Sequence, residues 1–208
     1  MSLDAARALE ILDALYAGVD GYRLSHGERN RLQTEDRGLV YGEILARPFG
    51  ELLETAGVHP GEEFWDAGAG TGKPVFTAAL LFPFARCCGV EVLAPLADKA
   101  ESLLLRYQRE MLPSLPEEKR RQEIRFITGR FEDVDLSGAD VLFSHCTTYS
   151  PGMLEHLCRA AAGLKAGSRI ITVGQALAWP ELEPVFEGPV LMDWGESICH
   201  VYRVRTRC

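Results

Sequence analysis

Residues 64–74 read Phe64-Trp65-Asp66-Ala67-Gly68-Ala69-Gly70-Thr71-Gly72-Lys73-Pro74, an apolar run that ends on an acid, passes a glycine-rich turn and enters a helix. Without Cβ atoms in the turn a ligand can approach the backbone closely, and the free N–H groups of the helix N-terminus face it. Pro74 suits the first helical turn, where its missing N–H costs nothing. Spacing then separates the ligands that use such turns. A phosphate-cradling loop needs glycine at 67 and Ser or Thr at 74, where Ala67 and Pro74 stand. The dinucleotide fingerprint G-x-G-x-x-G needs glycine at 73 counted from Gly68, or at 75 counted from Gly70; Lys73 and Val75 occupy those positions.

What remains is D-x-G-x-G-x-G, the pattern of S-adenosylmethionine enzymes, with a purely structural tight turn as the alternative. Under the first reading Asp66, Gly68, Gly70, Thr71, Gly72 and Lys73 form the floor of a cofactor site, with Asp66 facing the cofactor's amino-acid part. Glu91 closes the next apolar strand and is placed to accept ribose hydroxyls, with Val92 beside it. In Thr128-Gly129-Arg130-Phe131-Glu132-Asp133, after the third strand, Phe131 can cover an adenine ring. Glu132 or Asp133 can accept from its amine. Each also has a plainer reading, Glu91 as a solvated strand end and Phe131 as core.

Outward from the motif, the periodicity predicts an amphipathic helix over 3–19, a polar loop over 22–38 and a second helix over 40–56. Strands at 63–66, 85–91, 124–128, 140–143 and 168–173 alternate with helices at 74–81, 96–110 and 153–164, which calls for a mostly parallel sheet covered on both faces. The runs 190–194 and 197–205 meet near Gly195–Glu196 with no helix between them, as an antiparallel hairpin. The expected fold is α/β: a Rossmann-like, seven-stranded, mostly parallel sheet with a C-terminal antiparallel hairpin and an N-terminal helical extension. We expect residues 1–58 to form a helical segment with a cofactor lid and 59–208 the core, in one structural domain.

The chain has 208 residues, 47% hydrophobic and 25% charged, enough for one domain with its own core. No signal-peptide core or membrane span is apparent, and the six cysteines include no C-x-x-C pair, so we expect a cytoplasmic protein with reduced thiols and no membrane partner. His145–Cys146, His156 near Cys158 and Cys199–His200 lack paired ligand spacing, and no metal is expected. A net charge of −8 disfavours a nucleic-acid partner. The basic cluster Lys119-Arg120-Arg121 reads as a solvated helix end or loop.

With these pieces placed, the chain resembles the non-SET histone-lysine methyltransferases of the disruptor-of-telomeric-silencing type over roughly residues 40–204. The resemblance rests on Tyr41-Gly42-Glu43, Asp66 to Gly72, Gly89-Val90-Glu91, Gly129 with Phe131, Val141-Leu142-Phe143 and its loop to Pro151, Lys165-Ala166-Gly167-Ser168-Arg169-Ile170, and Trp194. It implies that Tyr41 and Glu43 belong to a loop folding over the cofactor. The sequence departs from the family in two places. His145-Cys146-Thr147-Thr148-Tyr149 stands for Asn-Asn-Phe-x-Phe, with Cys146 for the cofactor-contacting asparagine, and Arg130 replaces an adenine-binding aspartate. No basic tail of the kind that grips nucleosomal DNA is present, so a nucleosomal substrate is not expected.

Methyl transfer from a sulfonium needs in-line approach of a neutral nucleophile, so positioning does most of the catalysis. A lysine amine must first shed a proton, which a narrow apolar channel favours by desolvating the ammonium. Tyr149, Cys146 and Trp194 are the candidate catalytic residues around such a channel. The expected function is protein-lysine N-methylation with S-adenosyl-L-methionine as cofactor and a protein lysine side chain as partner. The alternatives are a small-molecule acceptor and an inactive cofactor-binding module.

Overall fold

The apolar run before the glycine turn becomes the central strand. β1 (Glu63–Ala67) pairs in parallel with β2 (Arg86–Glu91) on one side and β4 (Val141–His145) on the other. In the computed structural model, which describes residues 3–206, β3 (Glu123–Thr128) pairs with β2 and β5 (Arg169–Val173) with β4, again in parallel. The sheet is completed by β6 (Leu182–Met192) and β7 (Gly195–Val204), in the order β3-β2-β1-β4-β5-β7-β6. Only β7 runs against the others. This is the expected Rossmann-like sheet with its antiparallel hairpin.

Successive strand residues point to opposite faces, and the sequence supplies large apolar groups to both. Phe64 and Phe143 join a core with residues of α1 (Ala5–Tyr16), α3 (Ala46–Ala56), α4 (Lys73–Leu81) and α5 (Ala94–Arg106). Phe49 of α3 lies between them, its ring centroid 5.9 Å from Phe64 and 4.7 Å from Phe143. On the other face Trp65, Leu142 and Ile170 pack with Leu157 and Ala161 of α7 (Pro151–Gly163). Each large side chain buried in this way contributes about 1.5–3 kcal/mol. Connections from β1 outward to β3 cover one face and the connection from β4 to β5 the other. The direction of winding therefore reverses between β1 and β4, where a crevice opens at the carboxyl ends of the strands.

Four expectations need correction. Residues 22–38 are not a loop throughout: α2 (Gly21–Leu32) starts on Asp20, whose side chain accepts from the Arg23 N–H, and stops at left-handed Gln33. It buries only Gly21, Ser25 and Glu28, so no apolar stripe announces it. Conversely, 40–45 is not helical, because Ile44 bridges to Met192 of β6 and holds that stretch extended. The hairpin turns at Asp193–Trp194 rather than Gly195–Glu196, and β6 starts well before residue 190 despite Pro184 and Pro189. An outer strand tolerates proline where a central one does not.

Lys119, in the short helix α6 (Glu117–Arg120), is also not solvated. It is buried and donates to the carbonyls of Ala79 and Phe82 at 2.8 and 2.7 Å, capping the C-terminal end of α4. Burial lowers its pKa to about 8.

Candidate functional site

The glycine turn sits at the mouth of the crevice. Gly68, Gly70 and Gly72 all have positive φ (99°, 56° and 86°), which L side chains rarely adopt. The turn is anchored from β2: the Glu91 carboxylate accepts from the Gly70 N–H and the Leu93 N–H, both at 2.8 Å. Burial raises the Glu91 pKa, and these amides partly offset it.

Beneath the turn lies Asp66, 1% exposed, with no hydrogen-bond partner for either carboxylate oxygen among the described residues. Desolvation, with the nearby Glu91 adding to it, pushes its pKa well up. A buried carboxylate without a partner is costly, and a cationic ligand group removes that cost. Asp66 and the glycine cradle therefore fit the ammonium-bearing amino-acid part of S-adenosylmethionine.

Over the turn lies the extended strap around Tyr41-Gly42-Glu43. The Tyr41 hydroxyl donates to Glu43 and lies 3.0 Å from the Thr71 hydroxyl. Lys73 binds Glu43 at 2.8 Å, and its ammonium stands 5.5 Å from the centroid of the Tyr16 ring. The Tyr16 hydroxyl donates to the Thr71 carbonyl at 2.9 Å. Tyr22 packs edge-on against Tyr41 and donates to Asp193 at 2.7 Å, which ties the strap to the hairpin turn.

Two pockets flank this strap. The larger encloses about 660 Å³, counting its open mouth, and is lined by Tyr41, Gly68, Glu91, Val92, Phe131, Glu132 and Tyr149 among others. Phe131 and Tyr149 stack with centroids 5.7 Å apart and planes 9° from parallel. The Tyr149 hydroxyl donates to the Ala67 carbonyl at 2.9 Å and accepts from Ser144 at 3.1 Å. The smaller pocket, about 320 Å³, is lined by Glu43, Gly70, Lys73 and Phe143 with Tyr41 again.

The other expected site residues stand apart. Thr71 is buried and engaged by the two tyrosines, and Gly72 permits close packing of Phe126. Cys146 is fully buried among apolar residues, its Sγ facing the carbonyls of Val173 and Gln175, and does not line either pocket. Burial lifts its thiol to about 11. Trp194 is half exposed on the hairpin turn, with its indole nitrogen against Gly42.

Site prediction from sequence passed over His145, the last residue of β4, which lines both pockets. Its Nε2 is buried and has no partner among the described residues. Desolvation lowers its pKa to about 4, against a smaller opposing effect of Asp193. The histidine standing where the resembling family has asparagine was the signal available. Arg130, the second departure, lines the larger pocket and pairs with Glu132 at 2.8 Å. Among the described residues no cluster of three or more His, Cys, Asp or Glu is placed to hold a metal ion, and no helix is long and apolar enough to cross a membrane.

Fold and site together define a Rossmann-like class I methyltransferase. A putative RNA methyltransferase from Pyrococcus horikoshii superimposes with a TM-score of 0.62 at 14% identity, covering 98% of this chain and 100% of its own. An RNA methyltransferase from Salinibacter ruber, solved with S-adenosyl-L-homocysteine, gives 0.57 at 18% identity over 77% of this chain and 92% of its own. Geranyl diphosphate C-methyltransferase from Streptomyces coelicolor A3(2) gives 0.56 at 14% identity over 76% of each. At such identities the likeness establishes the fold. No protein of curated function matches the chain in sequence. The sequence model of the family described as histone methylation protein DOT1 matches residues 33–179, and the chain belongs to that family. It is an S-adenosylmethionine-dependent methyltransferase.

Proposed function

We propose that the enzyme methylates a lysine side chain of a protein substrate. The observation that carries this reading is the span of the family match, residues 33–179, which takes in the strap, the glycine turn, Glu91, Phe131 and the loop after β4.

When bound, S-adenosylmethionine supplies an electrophilic methyl carbon on a sulfonium centre. Asp66 would hold its ammonium group, Gly68 and Gly70 would let its chain lie against the backbone, and Glu91 with Val92 would hold its ribose. Phe131 and Glu132 would take the adenine. Thr71, Gly72 and Lys73 would act by fixing the turn and the strap. The N-terminal segment 1–58, through Tyr41 and Glu43, would close over the cofactor and exclude water. Tyr149 and Trp194 would border the acceptor's path, whereas Cys146, turned into the core, is given no role. Among the described residues the five cysteines are free and buried, which supports a reducing compartment such as the cytoplasm.

A small-molecule acceptor is the second reading, favoured by the His145-Cys146 replacement of the family's asparagine pair. The test is transfer of labelled methyl from S-adenosylmethionine to mixed histones and to a cell lysate, with products sorted by class. Label on lysine Nζ supports the proposal. Label confined to RNA or to small molecules overturns it.

A further inference from the structure

Most polar side chains around the strap are already engaged. The Tyr149 hydroxyl is held by Ala67 and Ser144, and the Tyr41 hydroxyl by Glu43 and Thr71. Trp194 offers only a donor. His145 differs: of the residues lining either pocket, it alone carries a buried side-chain polar atom without a partner among the described residues. His145 lines both pockets, together with Tyr41, Gly42 and Gly68. The strap can reach it because residue 42 is glycine: a Cβ there would stand 2.7 Å from the histidine Cε1.

We infer that His145 is the acceptor-orienting residue, its Nε2 accepting an N–H of the incoming amine so that the nitrogen lone pair is aimed at the transferred methyl. The inference rests on the amine-acceptor reading above. A buried imidazole nitrogen without a partner is unfavourable in the protein alone and is satisfied by a donor that arrives with the substrate. For Nε2 to accept, the ring must be neutral with its proton on Nδ1. Burial holds it neutral, with a pKa of about 4. A neutral amine has N–H groups to donate and a lone pair to spare, so one contact can fix its direction of attack. The new N–C bond forms as the C–S bond breaks, the electron pair of that bond stays on sulfur, and the proton lost by the methylated nitrogen goes to solvent. His145 stays neutral throughout and orients the nucleophile without acting as a base.

Two measurements on the full chain test this. In the first, the protein carries 15N-labelled histidine, S-adenosylhomocysteine is present, and n-butylamine is added as a mimic of the lysine side-chain end. The expected result is a shift of the His145 Nε2 resonance that saturates with amine. A resonance that does not move overturns the inference, whether or not a protein substrate has been found. In the second, His145→Leu and His145→Gln are compared for methyl transfer to mixed histones at saturating cofactor. The leucine variant should lose about 100-fold in kcat with cofactor Kd unchanged. The glutamine variant, which keeps an acceptor, should recover most of the rate. Equal rates for wild type and His145→Leu overturn the inference while leaving lysine methylation standing. If labelled methyl goes only to RNA or small molecules, the amine reading fails, and the resonance experiment still decides whether His145 receives an N–H donor. Should His145→Leu not fold, the glutamine variant and the resonance experiment carry the test.

Discussion

Glu91 on β2 reaches under the glycine turn that follows β1 and accepts the backbone N–H of Gly70 at 2.8 Å, while its other oxygen takes the Leu93 N–H. One carboxylate thus fixes the turn and still has lone pairs to offer. Glu91→Gln replaces one acceptor oxygen with a donor that must face a backbone N–H. We expect a loss of about 1–3 kcal/mol in unfolding free energy, together with weaker S-adenosylmethionine binding. Denaturant titration with and without cofactor separates the two, since ligand stabilisation follows its own affinity.

Asp66 presents the opposite case, a buried carboxyl that the protein leaves without a partner. Its pKa is raised in the folded state, so between the unfolded value near ~3.9 and the folded value the unfolded chain binds fewer protons. Its contribution to stability is fully present below the unfolded pKa and is lost as pH rises through the folded one. Asp66→Asn removes that loss. The variant should melt higher than wild type near neutral pH, with the gap closing in acid, and bind S-adenosylmethionine at least ~10-fold more weakly, about 1.4 kcal/mol. Calorimetric titration and melting curves against pH check both halves. A variant that melts lower and binds equally well would remove Asp66 from the site.

The centre of the sheet was legible because β1, β2, β4 and β5 are buried on both faces and read as apolar runs, two of them with the acids Asp66 and Glu91 at or beside their ends. The glycine turn was legible because three glycines at alternate positions have few other uses. What escaped lacked such a contrast. α2 has no apolar stripe, Lys119 looks like any surface cation until the ends of α4 carbonyls are found around it, and Pro184 and Pro189 argue against a strand unless it is at the edge. Cys146 and His145 are neighbours, and a half-turn of the strand end decides which faces the pocket. Only coordinates could tell them apart.

Gly42 is held between two rings. A Cβ at this position would stand 2.7 Å from His145 Cε1 and 3.2 Å from Trp194 Nε1. His145 is packed at the end of β4, and the strap is tied to the hairpin through the Glu43 carbonyl and Asp193 N–H, so the contact with the histidine is not relieved by a small shift. Gly42→Ala should therefore push the strap off the pocket. The expected cost is about 1–3 kcal/mol of stability, with faster cofactor dissociation by stopped flow. Trp194→Ala in the same chain should recover part of both. No recovery would mean that His145 alone sets the clearance.

His145 also predicts how the protein responds to acid. Its folded pKa of about 4 lies below the ordinary 6.5 because burial penalises the imidazolium, and Asp193, the charged group that acts on it, opposes this only in part. Between those values the unfolded chain binds more protons than the folded one, so this residue's contribution is present above ~6.5 and is lost as pH falls towards 4. The full effect is on the order of 3 kcal/mol. His145→Gln carries no such titration, so wild type should lose melting temperature relative to it between pH 6.5 and pH 4.5, and Asp193→Asn should steepen the wild-type loss. Parallel pH curves for wild type and His145→Gln would show that the imidazole is free to ionise in place. It would then have water at Nε2, and the buried, neutral acceptor assigned to that atom would not exist.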